Sequence, residues 1–249
     1  MAMEAATTKQ DSGPVEGVSS FAKSLFLGEI HEEMVFPWPR PPAVERERVR
    51  GLIASLWEAA EGYDARKAEE DRWVGDEFLR DLGERGLMGL YVPEEYGGQG
   101  LSQTGYCRVF EAVAQIDSTL PVILGVHQSI GLKGIALFGT DEQKERFLPD
   151  LASGRKLAAF ALTEPGAGSD AYHLASRAVR QSDGSWLLNG EKRWIGNGDK
   201  GSVIVTFARA EVDGRDRHIA LILEKGMEGL EVGHRYDTMG LRANDLRHL

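Results

Sequence analysis

Phe160-Ala-Leu-Thr-Glu-Pro-Gly-Ala-Gly-Ser-Asp170 decides how the rest of the chain is read, because a short apolar run passes directly into a proline- and glycine-rich turn that ends on a hydroxyl and a carboxylate. Glycine lacks a Cβ, so backbone N–H groups at Gly166 and Gly168 can approach a ligand closely, and Thr163 and Ser169 add hydroxyl donors. Such a turn suits anions and planar polar rings. Downstream, Lys192-Arg-Trp-Ile-Gly-Asn-Gly198 places an indole beside a second glycine turn, the pairing expected where an aromatic lies against a flat heterocycle. Taken singly, a glycine-rich turn is most often only a turn, and a lone Trp is more often core than ligand wall.

The chain changes period on either side of residue 156. Upstream, Val49, Leu52, Ile53, Leu56 and Trp57 follow the spacing of an amphipathic helix, as do Val74, Phe78, Leu79 and Leu82, and then Tyr106, Val109, Phe110 and Val113. A fourth helix, from about Thr119 to Leu137, is apolar nearly all round and carries Gly125, Gly131 and Gly134, which predicts burial between other helices. Thr140-Asp-Glu-Gln143 reads as a capping box opening a fifth, which Pro149 and Gly154 help end. Downstream, strand-like runs take over at 157–162, 175–180, 185–188, 203–208, 219–224 and 230–232, punctuated by Asp183-Gly184, Asn189-Gly190 and Asp213-Gly214. Asn189-Gly190 is expected to turn a tight hairpin between Trp186-Leu-Leu188 and Lys192-Arg-Trp194.

Ahead of both blocks, residues 1 to about 18 are polar and expected to fray. Phe21, Leu25 and Phe26 then suit a short amphipathic turn ended by Gly28, and Pro37, Pro39, Pro41 and Pro42 forbid helix, leaving a strap whose Phe36 and Trp38 would anchor it in a groove. The expected fold class is therefore α+β and multidomain. Residues 1–41 form an N-terminal extension, 42–155 an all-α domain, and 156–249 an antiparallel β domain of barrel or sandwich type, with a ligand cleft where the two domains meet.

With 249 residues, 42% hydrophobic and 27% charged, the chain has the make-up of a soluble globular protein with a sizeable core. A formal net charge of −10 argues against nucleic acid or an anionic membrane surface as the main partner. Cys107 is the sole cysteine, which excludes an intramolecular disulfide and a cysteine metal cluster, and no metal site is expected. No run of eighteen apolar residues occurs, so no membrane span is expected. The first residues lack a signal-peptide core and include Glu4, so a cytoplasmic location follows by default.

Leu162-Thr-Glu-Pro-Gly-Ala-Gly-Ser-Asp170 followed by Lys192-Arg-Trp-Ile-Gly-Asn197 resembles the flavin-binding motifs of the acyl-CoA dehydrogenase family. The resemblance runs from Ser20 onward. Ser20–Ile30 with Val35-Phe-Pro-Trp-Pro39, and Leu124-Gly-Val-His-Gln-Ser-Ile-Gly-Leu-Lys-Gly134 with Leu137-Phe-Gly-Thr140, are most similar to the very-long-chain subgroup. It implies FAD as cofactor, oxidation of a fatty acyl-CoA to the trans-2-enoyl-CoA in β-oxidation with hydride passing to flavin N5, electron-transferring flavoprotein as acceptor, and a homodimer or homotetramer. By the same resemblance Phe160, Ala161, Leu162, Thr163, Gly168 and Ser169 contact the cofactor, Ser169 also faces the CoA, and Trp194, Ile195 and Gly196 flank the flavin ring. Gly125 either leaves room for the acyl chain or permits close helix packing; His127 reads as a satisfied core histidine.

The chain departs from the family pattern at three positions. Most members carry Ser or Thr where this chain has Gly196, and that hydroxyl bonds flavin N5, so only the Gly196 N–H remains for the bond. His173 stands where a small residue is usual, and Asn244 where Ser or Thr is common. The family's C-terminal helical domain, which carries the catalytic glutamate, is expected to lie beyond Leu249, so no catalytic residue is assigned, Glu164 is read as structural, and residues 1–249 alone are expected to be inactive and to hold FAD weakly. Two other readings stay open: an acyl-CoA oxidase that uses oxygen, suggested by Gly196, and a non-catalytic binding or assembly member of the family.

Overall fold

A computed structural model describes residues 20–249; the start expected to fray lies outside them. The chain divides into two compact units, one ending at Pro41 and the other running from Pro42 to Leu249. In the first, helix α1 (Phe21–Phe26) is capped by the Ser20 hydroxyl, which accepts the Lys23 N–H at 3.4 Å, and Gly28 leaves it with a positive φ of 80°. Phe36 and Trp38 meet edge to face, with ring centroids 5.0 Å apart.

The second unit begins with α2 (Ala43–Ala60), α3 (Ala65–Asp71), α4 (Asp76–Glu84) and α5 (Gln103–Ile116). Val49, Leu52, Leu56 and Ala59 of α2 pack with Leu79 and Leu82 of α4 and Val109 and Val113 of α5 in one core, as the sequence spacing requires. Next come α6 (Leu120–Gly125), a π-helical segment Val126–Leu132, and α7 (Lys133–Phe138), continuous as one long helix; α8 (Asp141–Ala152) completes the set. The capping box at α8 is complete: Gln143 N–H donates to Thr140 Oγ1 at 3.2 Å, and Gln143 Oε1 accepts the Thr140 N–H at 2.9 Å. Pro149 does not end α8 but sits inside it, and the helix runs on to Ala152 before Gly154 turns out at a φ of 72°.

The stretch 120–138 is long and apolar enough, by length and composition, to cross a membrane. Its fit to this unit is specific, however. Two successive side chains in the π segment point inward: Gln128 accepts the Leu90 N–H at 2.9 Å and donates to Leu87 O at 3.0 Å, while His127 reaches the other way. A π turn widens the helix enough for two adjacent residues to do this. The Ala158 N–H donates to His127 Nδ1 at 2.9 Å, which puts the ring proton on Nε2, 3.0 Å from Leu151 O. His127 is thus the satisfied core histidine expected, and it joins α8 to the first strand. Gly131 lets that contact close, since a Cβ there would stand 2.6 Å from the Ala158 Cβ.

Five strands follow: β1 (Ala158–Ala161), β2 (Arg177–Arg180), β3 (Trp186–Asn189), β4 (Val203–Val212) and β5 (Arg215–Glu224). Asp213 and Gly214, both at positive φ (52° and 70°), turn β4 into β5, which pairs antiparallel along its whole length. The sheet is mixed, not antiparallel as expected. Both β1 and β2 run parallel to β4 on its other edge, Ala158–Ala161 beside Val203–Thr206 and Arg177 beside Arg209. One strand line is therefore interrupted by residues 162–176, which leave the sheet as a loop and return in the same direction. Direction is set by that excursion, which alternation of apolar residues cannot encode.

The Asn189-Gly190 hairpin is not formed. Among the described residues β3 pairs only with β2, through the Asp183-Gly184 turn, and residues 192–195 pair instead with 247–249, Lys192 and Leu249 exchanging two 2.9 Å bonds. Gly190 is needed for packing: a Cβ there would stand 2.1 Å from Ser176 Oγ. Residues 230–232 form no strand.

Candidate functional site

The loop 162–176 that interrupts the strand line contains the glycine-rich turn, and a buried ion pair fixes its base. Glu164 folds under the turn and accepts the Ala175 N–H at 2.5 Å, the Ser176 N–H at 3.1 Å and the Lys192 ammonium at 2.7 Å. Lys192 also donates to Leu162 O at 3.1 Å. Both side chains are almost fully buried, at 2% and 7% exposure. Burial alone would raise the Glu164 pKa; the Lys192 ammonium and the two N–H groups outweigh it and hold the carboxyl below its ordinary value. Burial pulls Lys192 down, against the attraction of Glu164. Glu164 is thus structural, as the sequence suggested, with both carboxylate oxygens engaged by donors.

The same clamp brings the two motifs together. Arg193 N–H donates to Thr163 O at 2.8 Å, so the segment from Lys192 lies directly against the Leu162–Thr163 backbone. Above this seam Gly166, Gly168 and Ser169 are exposed, their N–H groups make no hydrogen bond among the described residues, and nothing lies within 4 Å of a Cβ built at either glycine. Ala161 and Ile195 turn inward, sharing a core cluster with Ala159 and Ile204, and the Ile195 N–H and C=O are both paired with Arg247.

Trp194 sits at a φ of 60°, which swings its indole out to 53% exposure. The ring is held by Tyr236, with centroids 3.8 Å apart. Tyr236 belongs to residues 233–236, which pair with 246–248 beside the Ile195–Arg247 bridge. Sequence reading missed this residue, because nothing local marks a tyrosine forty positions away as the support of an indole. Gly196 is buried and its N–H has no hydrogen-bond partner among the described residues. A Cβ on it would meet Val126 Cγ2 at 3.0 Å and Asn244 Oδ1 at 3.5 Å. Asn197 then ties the seam to the helices, donating from Nδ2 to Ile123 O at 3.2 Å and Ala158 O at 3.1 Å.

Phe160 faces a different space. Together with Phe207, Ile130, Gly134, Leu137 and Phe138 it lines an open, largely apolar groove of about 1020 Å³ between the long helix and the β4–β5 face of the sheet. Arg146 and Glu224 form an ion pair among its lining residues. Gly134 leaves its wall open, since a Cβ there would reach only Val205 Cγ1, at 3.8 Å. Gly125 is not among the groove's lining residues; a Cβ on it would touch Phe110 at an ordinary 3.7 Å, so close packing does not require a glycine there. No group of three His, Cys, Asp or Glu side chains suited to a metal occurs among the described residues.

Two family models match the chain: the acyl-CoA dehydrogenase N-terminal domain over residues 45–155 and the acyl-CoA dehydrogenase middle domain over 159–249. The mitochondrial very long-chain specific acyl-CoA dehydrogenase of Macaca fascicularis is 39% identical over 91% of this chain and 36% of its own length. The probable acyl-CoA dehydrogenase FadE10 of Mycobacterium tuberculosis is 39% identical over 90% of this chain and 35% of its own. Among solved structures, an acyl-CoA dehydrogenase from Bacillus anthracis complexed with FAD superposes with a TM-score of 0.76 at 33% identity, covering 88% of this chain and 37% of that one. Butyryl-CoA dehydrogenase from Megasphaera elsdenii gives 0.74 at 30% identity, covering 84% and 56%. The chain thus spans little more than a third of the length of the curated relatives it matches.

Proposed function

Because this chain belongs to the acyl-CoA dehydrogenase family, we propose that it forms the cofactor and substrate walls of an FAD-dependent enzyme that converts a fatty acyl-CoA to its trans-2-enoyl-CoA. The observation that carries this reading is the seam at the 2.8 Å Arg193–Thr163 bond, which pairs the segment carrying the projecting Trp194 with the backbone that leads into the open glycine turn. The residues present fit FAD. A flat ring needs a flat wall, which Trp194 backed by Tyr236 provides, and an anionic pyrophosphate needs unpaired donors, which Gly166, Gly168 and Ser169 offer. When bound, FAD supplies the hydride acceptor.

Each part of the chain then has a task. The N–H groups and hydroxyls of the turn would hold the pyrophosphate, with Thr163 and Ser169 as side-chain donors and Ser169 also available to the CoA. Trp194, Ile195 and Gly196 would flank the ring, with the unpaired Gly196 N–H as the backbone donor. The apolar groove behind Phe160 receives the acyl chain and excludes water from the carbon atoms that react. Glu164 does not act as the base that removes the Cα proton, since Lys192 and two N–H groups occupy it. Electron-transferring flavoprotein is the acceptor in this reading; the oxidase alternative rests on Gly196, which offers an N–H and no hydroxyl. The test is to purify the full-length protein, supply FAD, look for a retained yellow chromophore, and follow acyl-CoA-dependent reduction of an artificial acceptor alongside peroxide yield. Acceptor reduction without peroxide supports the dehydrogenase, and stoichiometric peroxide supports the oxidase. A protein that never takes up FAD overturns both.

A further inference from the structure

The wall at Gly196 holds polar groups that have no partner among the described residues. Gly196 is buried with an unpartnered N–H, and its lack of a side chain is enforced from outside: Val126, on the π segment, leaves 3.0 Å for a Cβ, closer than a carbon pair tolerates without displacement. A serine or threonine hydroxyl at this point requires Val126 to move. The carboxamide of Asn244 reaches the same point from the far end of the chain, with Oδ1 3.5 Å from the position that Cβ would occupy. That oxygen is buried and accepts no hydrogen bond among the described residues. A buried amide oxygen without a partner is destabilising, so it marks a place where a partner is expected.

The rest of Asn244 is fixed. Its N–H donates to Leu241 O at 3.0 Å, its carbonyl accepts from the Arg235 guanidinium at 3.2 Å, and Ala243 and Asp245 on either side are buried. Only the carboxamide is uncommitted. A carboxamide differs from a hydroxyl-free glycine wall in presenting an acceptor on one edge and a donor on the other, and it exchanges them by turning over. It therefore suits a ring nitrogen that accepts a hydrogen bond in one redox state and donates one in the other.

We propose that Asn244 supplies the side-chain hydrogen bond at the Gly196 wall that Gly196 itself cannot, making it a positioning and redox-tuning residue for the bound heterocycle. This rests on the reading of the site as a flavin wall. In the FAD-loaded protein, Asn244→Ala is expected to weaken FAD binding about tenfold, the value of one hydrogen bond, and to shift both the flavin midpoint potential and its visible absorption bands. The unfolding midpoint of the FAD-free protein should not fall. Rescue comes from the opposite side: adding Gly196→Ser and Val126→Ala to Asn244→Ala makes room for a hydroxyl and should restore the affinity and potential. If wild type binds FAD and Asn244→Ala matches it in affinity, potential and spectrum, the assignment of Asn244 is wrong while the flavin reading stands. If wild type binds no FAD at all, both fall.

Discussion

Acidification should unfold this protein partly through one side chain, His127. The ring is fully buried and neutral, its Nδ1 accepting from Ala158 and its Nε2 proton donated to Leu151 O. Burial lowers its pKa from 6.5 to about 4. Between those values the unfolded chain binds a proton that the native state refuses, so stability is complete above about pH 6.5 and lost as pH falls toward 4. A gap of about 2.5 pK units corresponds to about 3.4 kcal/mol, a large share of the 5–15 kcal/mol typical of a folded domain.

The companion variant is His127→Gln, whose amide offers an acceptor and a donor at similar separation but cannot be protonated. It should be less stable than wild type by about 1–2 kcal/mol near neutrality, through imperfect geometry. By pH 4.5 wild type has given up about 2.5 kcal/mol from this group, so the order reverses and the stability curves cross. Urea unfolding of both proteins from pH 8 to pH 4.5 reads this directly, because every other titrating group cancels in the difference. A difference that stays flat across that range would refute the buried neutral imidazole.

Three further outcomes test the architecture. Lys192→Met strands Glu164 in the interior and should cost about 3 kcal/mol in urea unfolding, with Glu164→Gln on top recovering part of it; since Glu164 is held below its ordinary value of 4.5, the stability contributed by its environment should be present at neutral pH and fade on acidification through the native pKa. Gly131→Ala pushes a methyl to 2.6 Å from the Ala158 Cβ and should cost about 1–3 kcal/mol by separating the helix from β1, whereas Gly125→Ala, with only a 3.7 Å contact, should be nearly neutral. Tyr236→Leu should leave the Trp194 indole free to reorient, seen as loss of near-ultraviolet circular dichroism that Trp194→Phe removes to the same extent; an unchanged spectrum would mean the 3.8 Å ring contact contributes no order.

Local chemistry alone determined much of this protein. The helical periods, the Thr140 capping box, the Asp213-Gly214 turn, the change from helix to sheet near residue 156 and the two glycine motifs all follow from neighbours within a few positions, where backbone sterics and side-chain spacing decide the outcome. Tertiary structure alone decided what depends on where distant segments come to rest. Strand direction was set by the path of residues 162–176, which returns beside β4 in the orientation in which it left and makes the sheet mixed. Asn189-Gly190 was overruled as a hairpin because residues 192–195 find a better partner in 247–249, and Pro149 was absorbed within α8. The Glu164–Lys192 clamp, the Tyr236 support of Trp194 and the approach of Asn244 to Gly196 join residues 28 to 48 positions apart, and burial and hydrogen-bond satisfaction across such distances are properties of the assembled core rather than of any stretch of sequence.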